Sequence, residues 1–372
     1  MKIKGQKELL ADVVAKGLCV GCGGCVNLCP YFVTYRGKTS MTFPCTRETG
    51  RCYAHCPKTE VDLHELSEAI HNEPYRGSPV GEYRRVVAAR AGKKAGEGAF
   101  QGGGTVSALL AAALAKGLAE GALVTKSDNV LGDPVVVTDL AGILECAGSR
   151  YACSPVVAAL NKAQAEGAKK LAVVGTPCQV TAIAALRQNP LEKPGFADPV
   201  AITIGLFCTF ALDGRALEAL VKEEIGDEHV ISMDIPPPPA KVLVVTTAAR
   251  KVEISLDRLR PITPKGCSIC PDMTSEWADL SVGMVEGCPG WNTLIIRTEA
   301  GDELVKWAVK QGFLEAGKVE CENLDHLMLA SNNKKKRAIA AAEAEGLLKG
   351  PGEEGQAALR IRPEVVARIK TA

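Results

Sequence analysis

The sequence predicts an α/β core that is preceded by a small cysteine-rich module and followed by a charged helical segment. Seven of the fifteen cysteines lie between Cys19 and Cys56, in a loop-rich segment dense in Gly and Pro. From about Gly81, apolar runs alternate with Ala-rich helical stretches, which is typical of a sheet covered by helices. After Cys321 the chain is charged and rich in Ala, as in a solvated helical tail that docks on a partner or on the body of the protein. We therefore predict domains at residues 1–80, 81–320 and 321–372.

The composition excludes several classes of protein. Of the 372 residues, 47% are hydrophobic, which is enough to bury a sizeable core in two or three domains. The 44 basic and 43 acidic residues nearly cancel, so we expect no nucleic-acid partner. The most apolar runs, such as 106–115, are shorter than the roughly 20 residues of a membrane span, so we expect a soluble chain. The charged start lacks a signal sequence, which favours a cytoplasmic location, where cysteines bind metal more often than they form disulfides.

The cysteine-rich module has the spacing of a bacterial two-cluster ferredoxin. The first run follows the C-x2-C-x2-C-x3-C-P pattern and comprises Cys19, Cys22, Cys25, Cys29 and Pro30. The second run has one cysteine fewer and comprises Cys45, Cys52, Cys56 and Pro57. In such modules the last cysteine of each run binds the cluster of the other run. We therefore expect one [4Fe–4S] cluster on Cys19, Cys22, Cys25 and Cys56, and a second with three ligands, Cys29, Cys45 and Cys52.

The fourth ligand of the second cluster stays open. It is a cysteine of the larger domain, or His55, or it is absent because the centre is a three-iron cluster. A structural zinc site is an alternative for the module, since four thiolates and C-x2-C spacing are common around zinc. Iron is favoured, because zinc does not require the C-x2-C-x2-C-x3-C-P run.

In the core, the hydrophobic pattern predicts strands and helices in turn. We predict strands at 86–91, 122–125, 170–174, 201–207 and 241–247, and helices at 105–118, 156–166 and 180–188.

A second set of cysteines follows the predicted strands of the core. Cys178 lies where the strand 170–174 turns into a helix, a position that favours a thiolate. Cys208 ends the strand 201–207, and Cys267 and Cys270 form a C-x2-C pair. Since strand ends can meet at one sheet edge, we predict that these four cysteines hold a further cubane. The remaining cysteines are interpreted as small buried hydrophobic residues, namely Cys146, Cys153, Cys288 and Cys321.

Two short segments have features of a site for phosphate and a flat ring. One precedes a long Ala/Leu helix, whose first backbone amides can bind phosphate, and comprises Gln101, Gly102, Gly103, Gly104 and Thr105. The other offers a hydroxyl, a cation and a ring in Ser149, Arg150 and Tyr151. A glycine-rich cap of a buried helix is the alternative interpretation of the first segment.

Taken in order, these elements resemble the beta-subunit family of coenzyme F420-reducing hydrogenases and F420-dependent formate dehydrogenases. The similar segments are 101–104, 148–151, 175–179, 205–208, 267–272, 278–283, 290–293 and 297–298. The resemblance implies a flavin-binding core at 81–320, with FAD that exchanges hydride with coenzyme F420 or a similar carrier, beside a cluster on Cys178, Cys208, Cys267 and Cys270. It also implies cofactor contacts by Thr176, Gln179, Trp291 and Arg297.

The resulting hypothesis is an iron–sulfur flavoprotein subunit with FAD and two or three [4Fe–4S] clusters. It would exchange single electrons with other redox subunits, as in a hydrogenase, formate dehydrogenase or heterodisulfide-reductase-like complex. One alternative is a stand-alone flavin reductase of an organic substrate that takes electrons from ferredoxin. Another is a non-enzymatic zinc scaffold. No residue is predicted as a general acid or base, since hydride transfer to flavin does not need one.

Overall fold

The N-terminal module has short elements joined by cysteine-bearing loops. The structure is a computed structural model that describes residues 3–189, 191, 197–237 and 239–372. The elements of the module are α1 (Gln6–Leu9), which continues as a π-helical turn (Leu10–Val14), β1 (Phe32–Tyr35), β2 (Lys38–Met41), α2 (Arg51–Ala54), β3 (Val61–Asp62) and α3 (Leu63–His71). Leu9, Val13, Phe32 and Tyr53 are buried together and give the module an apolar centre.

The larger part of the chain alternates strands and helices. Its first elements are β4 (Arg85–Ala91), α4 (Thr105–Ala115), β5 (Gly121–Asp128), β6 (Leu131–Val137), α5 (Leu140–Glu145), α6 (Val156–Ala165), β7 (Leu171–Gly175), α7 (Pro177–Gln188) and β8 (Val200–Leu206). They are followed by α8 (Gly214–Ile225), β9 (Val230–Asp234), β10 (Val242–Thr247), β11 (Lys251–Ser255), α9 (Leu256–Leu259), α10 (Lys265–Ser268), β12 (Leu280–Met284), β13 (Asn292–Ile296), α11 (Glu299–Gln311) and β14 (Leu314–Gly317). Short 3-10 turns cover Lys93–Ala95 and Arg260–Ile262.

An eight-stranded mixed sheet forms the centre, in the order β14-β4-β13-β12-β8-β7-β5-β6. The four strands β12, β8, β7 and β5 are parallel, and the others pair antiparallel with their neighbours. On β7, Ala172 packs with the helices α4 and α11, whereas Leu171 and Val173 pack with α6 and α7. Burial of both faces explains why these strands are continuous apolar runs in the sequence. The predicted α/β fold of the core is confirmed.

Every strand and helix predicted for the core corresponds to an observed element, with ends that differ by at most three residues. A separate antiparallel sheet in the order β11-β10-β9 packs against α8. None of the helices in the described part of the chain combines the length and the apolar character that a membrane crossing needs.

The C-terminal segment packs on the N-terminal module. It consists of α12 (Cys321–Ala344), β15 (Leu348–Lys349), β16 (Leu359–Arg360) and α13 (Pro363–Thr371). Leu359 pairs with Val61, so β16 extends β3 as a parallel strand. The segment was expected to be a solvated tail that docks on a partner or on the body, and it packs on the body. Its basic run is not solvated throughout, because Lys334 and Lys335 are buried. Pairing and packing over such a long sequence separation leave no periodic signal in the sequence.

Candidate functional site

Four cysteines of the module line one cavity, as the ferredoxin spacing predicts. This first thiol group comprises Cys19, Cys22, Cys25 and Cys56. Leu9, Val13 and Phe32 also line this cavity. Burial raises the pKa of Cys56 to about 12, while a hydrogen bond from the Lys58 backbone amide acts to lower it. An apolar cavity with four thiols and N–H donors to sulfur suits a [4Fe–4S] cluster.

Two glycines let the first run turn around this cavity. Gly21 and Gly23 have φ values of +69° and +82°, which side chains rarely adopt. A Cβ at Gly21 would overlap the carbonyl oxygen of Gly37, and one at Gly23 would lie 2.7 Å from the backbone nitrogen of Ala158. The turn therefore requires glycine both for its backbone conformation and for its close contacts.

The second thiol group contains Cys29, Cys45 and Cys52. Burial raises the pKa of Cys52 to about 11, and the thiols of Cys29 and Cys45 add to this effect. The backbone amide of Cys45 donates to the Gln6 side-chain oxygen over 2.6 Å. Cys29 is exposed, so this group reaches the protein surface.

The structure shows where the candidates for a fourth ligand of this group lie. His55 Nε2 lies 3.0 Å from the carbonyl oxygen of Asn189, at the end of α7. Cys146 is close to Lys126, and Cys321 is exposed, which corrects its interpretation as a buried residue. The thiols of Cys29 and Cys45 are among the groups that raise the pKa of Cys52.

The third thiol group gathers the four core cysteines at one edge of the sheet. Because β7 and β8 are parallel and Gly175 pairs with Gly205, Cys178 and Cys208 emerge side by side. Cys267 lies on α10, and Cys270 lies just after it. Burial raises the pKa of Cys208 to about 12, and the thiols of Cys178, Cys267 and Cys270 add to it. The predicted convergence is therefore present.

Cys153 is a fifth thiol in this region, and the sequence did not indicate it. Its thiol is close to that of Cys178 and lowers the pKa of the latter, as do Thr176, Lys58 and Lys334, whereas burial acts in the opposite direction. Thr176 Oγ1 lies 3.4 Å from Cys178 Sγ. A fifth thiol therefore lies beside the four thiols that one cubane requires.

The three thiol groups are neighbours in series. The thiol of Cys52 in the second group affects the pKa of Cys25 and Cys56 in the first. The thiol of Cys178 in the third group affects the pKa of Cys22 in the first. The order is therefore second, first, third, from the exposed Cys29 to the interior.

The two segments predicted to bind phosphate and a ring meet at Gln101. Its side-chain oxygen accepts from the Ser149 backbone amide over 3.0 Å, and its amide nitrogen donates to the Tyr151 hydroxyl over 3.3 Å. Asp234 at the end of β9 accepts from both Gln101 and Tyr151. Neither Asp234 nor this meeting of segments was predicted from the sequence.

The glycines after Gln101 pass close to the start of β13. A Cβ at Gly102 would lie 2.9 Å from Asn292 Nδ2, and one at Gly103 would lie 2.8 Å from Asn292 Oδ1. Gly104 has a φ of +71° and precedes α4, whose first residue Thr105 donates its backbone N–H to Asn292 Oδ1 over 3.4 Å. The close approach of this backbone to Asn292 explains why the positions after Gln101 are glycines. It also leaves the start of α4 next to the Gln101 segment.

Arg150 is a partly buried cation without a carboxylate partner among the described residues. Its Nη1 donates to the Ser149 carbonyl oxygen over 2.8 Å, and its Nε is buried without a hydrogen-bond partner. Burial lowers the pKa of Arg150. Such a guanidinium is suited to an anion such as a phosphate.

The other predicted cofactor residues have partners within the protein. Thr176 and Gln179 form a reciprocal cap at the start of α7, where the Thr176 amide donates to Gln179 Oε1 over 2.8 Å. The Trp291 ring lies 4.6 Å from the Arg90 guanidinium. Arg297 is buried and donates to Ser281, Glu82 and Thr274. The cofactor contacts of these four residues stay predictions.

The Gln101 segment and the third thiol group share one stretch of backbone. Tyr151, which contacts Gln101, and Cys153, which contacts Cys178, are two residues apart. Two residues of extended chain span at most about 7 Å. The backbone at 151–153 therefore links the Gln101 segment to the third thiol group.

Within the described parts of the chain, no three His, Cys, Asp or Glu side chains converge closely enough for a single metal ion. A single ion such as zinc binds all its ligands at once, at metal-to-ligand distances of about 2.0 to 2.3 Å. Each thiolate of a cubane binds a different iron atom.

Similarity to known proteins covers the larger part of the chain. Residues 86–161 match the family described as coenzyme F420 hydrogenase/dehydrogenase, beta subunit N-term, and residues 168–322 match the corresponding C terminus. The chain is 32% identical over 280 residues to the coenzyme F420 hydrogenase subunit beta of Methanococcus voltae, covering 72% of this chain and 98% of that protein.

Two further similarities extend the comparison. The coenzyme F420-dependent sulfite reductase of Methanocaldococcus jannaschii is 32% identical over 312 residues, which is 79% of this chain. The chain spans only 46% of that relative. A chain of the F420-reducing [NiFe] hydrogenase complex from Methanosarcina barkeri matches with a TM-score of 0.65 and 28% identity, covering 72% of this chain and 93% of that one.

Proposed function

Since the chain belongs to the coenzyme F420 hydrogenase/dehydrogenase beta-subunit family, we propose that it is an oxidoreductase subunit that exchanges hydride with coenzyme F420 through FAD. It passes single electrons through iron–sulfur clusters to or from a partner redox enzyme. FAD, when bound, converts between the two electrons of a hydride and the single electrons of a cluster. Residues 1–80 are the ferredoxin-like module and 81–320 the flavin-binding core.

The observation that carries this proposal is the short link from Tyr151 to Cys153. It joins a segment suited to a dinucleotide to the third thiol group, which in turn adjoins the first and second groups. The thiol groups thus form a series from an exposed thiol to the segment that contains the partly buried Arg150. An electron path between a surface partner and a flavin needs such a series of closely spaced sites. The exposed end, at Cys29, is the proposed side of the partner subunit or ferredoxin.

We assign the cofactors to these residues as follows. One [4Fe–4S] cluster is bound by Cys19, Cys22, Cys25 and Cys56, and another by Cys178, Cys208, Cys267 and Cys270. The cluster between Cys29, Cys45 and Cys52 has three cysteine ligands. Gln101 and the glycines after it, with Ser149, Arg150 and Tyr151, bind FAD, and Arg150 neutralises a phosphate.

The test is anaerobic purification with iron, sulfide, zinc and flavin measured on one sample. We expect about eight to twelve irons, as cubanes and a three-iron centre require, together with one FAD per chain and reduction of the flavin by reduced coenzyme F420. Zinc without flavin would overturn the proposal and favour a scaffold. Reduction of the flavin by ferredoxin but not by reduced coenzyme F420 would favour the stand-alone reductase.

A further inference from the structure

Two lysines are buried beside the third thiol group without a carboxylate in ion-pair contact in the described residues. Lys58 is 5% exposed and Lys334 is 6% exposed. Lys334 Nζ donates to the carbonyl oxygens of Cys208 and Asp272, over 2.6 and 2.7 Å. The Asp272 carboxylate is nearby, but it accepts from the backbone amides of Thr274 and Glu276. The two ammonium groups therefore differ from that of Lys335, which is paired with Glu276.

Thiols face both lysines, and the Asp272 carboxylate also acts electrostatically on Lys334. Lys58 lines the cavity of the first thiol group and also the adjoining cavity lined by Cys178 and Cys270. Both lysines act electrostatically on Cys178, and Lys334 also acts on Cys208. Lys58 thus lies between the first and third thiol groups, whereas Lys334 lies on the side of the third group.

A buried ammonium group is costly unless an anion balances it. The effective penalty for an ion buried in a protein is several kcal/mol, and it is offset by a close opposite charge. Four thiolates give an iron–sulfur cubane a net negative charge, and that charge increases by one when the cluster accepts an electron. A cluster in the third thiol group would supply the missing anion for both lysines.

We propose that Lys58 and Lys334 are positioning residues whose buried charges neutralise the cluster at Cys178, Cys208, Cys267 and Cys270 and raise its reduction potential. This inference rests on the proposed function, since it assumes that cluster. Net charge near a cluster is one of the properties that set its potential. Lys58 raises the potential of the cluster at Cys19, Cys22, Cys25 and Cys56 as well, because it lines both cavities.

The test is a redox titration of the anaerobic holoprotein, followed by electron paramagnetic resonance. Cys267→Ala identifies the signal of the third-group cluster by its loss. We expect Lys334→Met to make reduction of that cluster about tenfold less favourable, which is about 59 mV for a one-electron couple. Lys58→Met should lower the potentials of two clusters, whereas Lys334→Arg and Lys58→Arg should preserve them. The matched control is Lys336→Met, two positions beyond Lys334 on α12 and only half-buried.

Each outcome decides a separate point. Unchanged potentials in Lys58→Met and Lys334→Met, with full iron content, would overturn the inference and leave the lysines a structural role. If the methionine variants lose the cluster, Lys58→Gln and Lys334→Gln are titrated instead. Loss of the cluster in the Met and Gln variants but not in the Arg variants supports charge neutralisation. Loss of the cluster in the Met, Gln and Arg variants alike overturns the inference. A wild-type protein without cluster signals would overturn the proposed function itself.

Discussion

Lys335 on α12 forms an ion pair with Glu276 that is wholly inside the protein. The side chains are 0% and 2% exposed, and the Lys335 ammonium also donates to the Tyr75 hydroxyl over 3.2 Å. Glu276 follows the third thiol group in the sequence, and Tyr75 belongs to the N-terminal module. The pair therefore fixes the C-terminal helix to the two parts of the chain that carry the cysteines.

We predict that Lys335→Met destabilises the protein strongly. Removing one partner of a buried pair leaves the other charge uncompensated, which costs about 3 to 5 kcal/mol. Burial raises the pKa of Glu276 to about 7, and loss of Lys335 raises it further. Between the ordinary pKa of 4.5 and the raised pKa, the folded state keeps a proton that the unfolded state has lost. The destabilisation should therefore be smaller at pH 6 than at pH 8, as measured by urea unfolding of the anaerobic holoprotein.

The matched control for this prediction is Lys306→Met on α11. Lys306 lies 2.7 Å from Asp302 but is 68% exposed, so its removal should cost less than about 1 kcal/mol. Equal effects of Lys335→Met and Lys306→Met would contradict a special role of the buried pair. So would a loss of stability in Lys335→Met that is independent of pH.

We predict that the thiol groups lose iron separately. Cys22→Ala should remove the cluster of the first group, about four irons per chain, and Cys267→Ala should remove that of the third. Flavin should be retained in Cys22→Ala, because the first group has no contact with Gln101 among the described residues. Iron analysis and flavin absorbance of the purified variants measure both quantities.

Two further variants test the ligand assignment. Cys321→Ala is the control, since Cys321 is exposed at the start of α12 and should leave the iron content unchanged. Cys153→Ala should also retain its iron, because four other cysteines complete the third group. Full iron content in both Cys22→Ala and Cys267→Ala would show that the assignment is wrong.

The sequence predicted those features that depend on local pattern or on neighbouring strands. Apolar runs identified the strands of the central sheet, because both faces of that sheet are buried. The approach of Cys178 and Cys208 followed from two parallel strands whose carboxyl ends lie at one edge. The first thiol group followed from the spacing of its cysteines alone.

The features that were missed depend on long-range packing. Cys153 has no motif around it, and only the fold brings it to Cys178. Lys334 belongs to a basic run that resembles a solvated surface, and its burial is decided by the packing of α12. Asp234 reaches Gln101 from a separate sheet. No pattern within any one of these segments predicts its partner.

We predict that Gln101→Leu weakens FAD binding while the iron content stays unchanged. The substitution removes the hydrogen bonds to Ser149 and Tyr151 that hold the two segments together. Each such bond contributes about 0.5 to 1.5 kcal/mol, so the affinity should fall about tenfold. Titration of flavin-depleted protein with FAD, followed by fluorescence, measures the change. Gln311→Leu, at the end of α11, is the control, and an equal loss in both variants would contradict the prediction.

Substitution of Arg150 distinguishes a site that binds a dinucleotide from a site that binds only an aromatic ring. Because its buried Nε lacks a partner, we expect the guanidinium to bind a phosphate, with about 1.5 to 3 kcal/mol for a charged hydrogen bond. Arg150→Met should therefore weaken FAD by about ten- to a hundredfold, whereas riboflavin, which has no phosphate, should bind as it does to the wild type. The control is Arg337→Met, on the exposed side of α12. Equal loss of affinity for FAD and riboflavin would mean that Arg150 supports the ring site or the fold instead. FAD carries phosphate charge and riboflavin does not, so loss of a phosphate contact should weaken the binding of FAD alone.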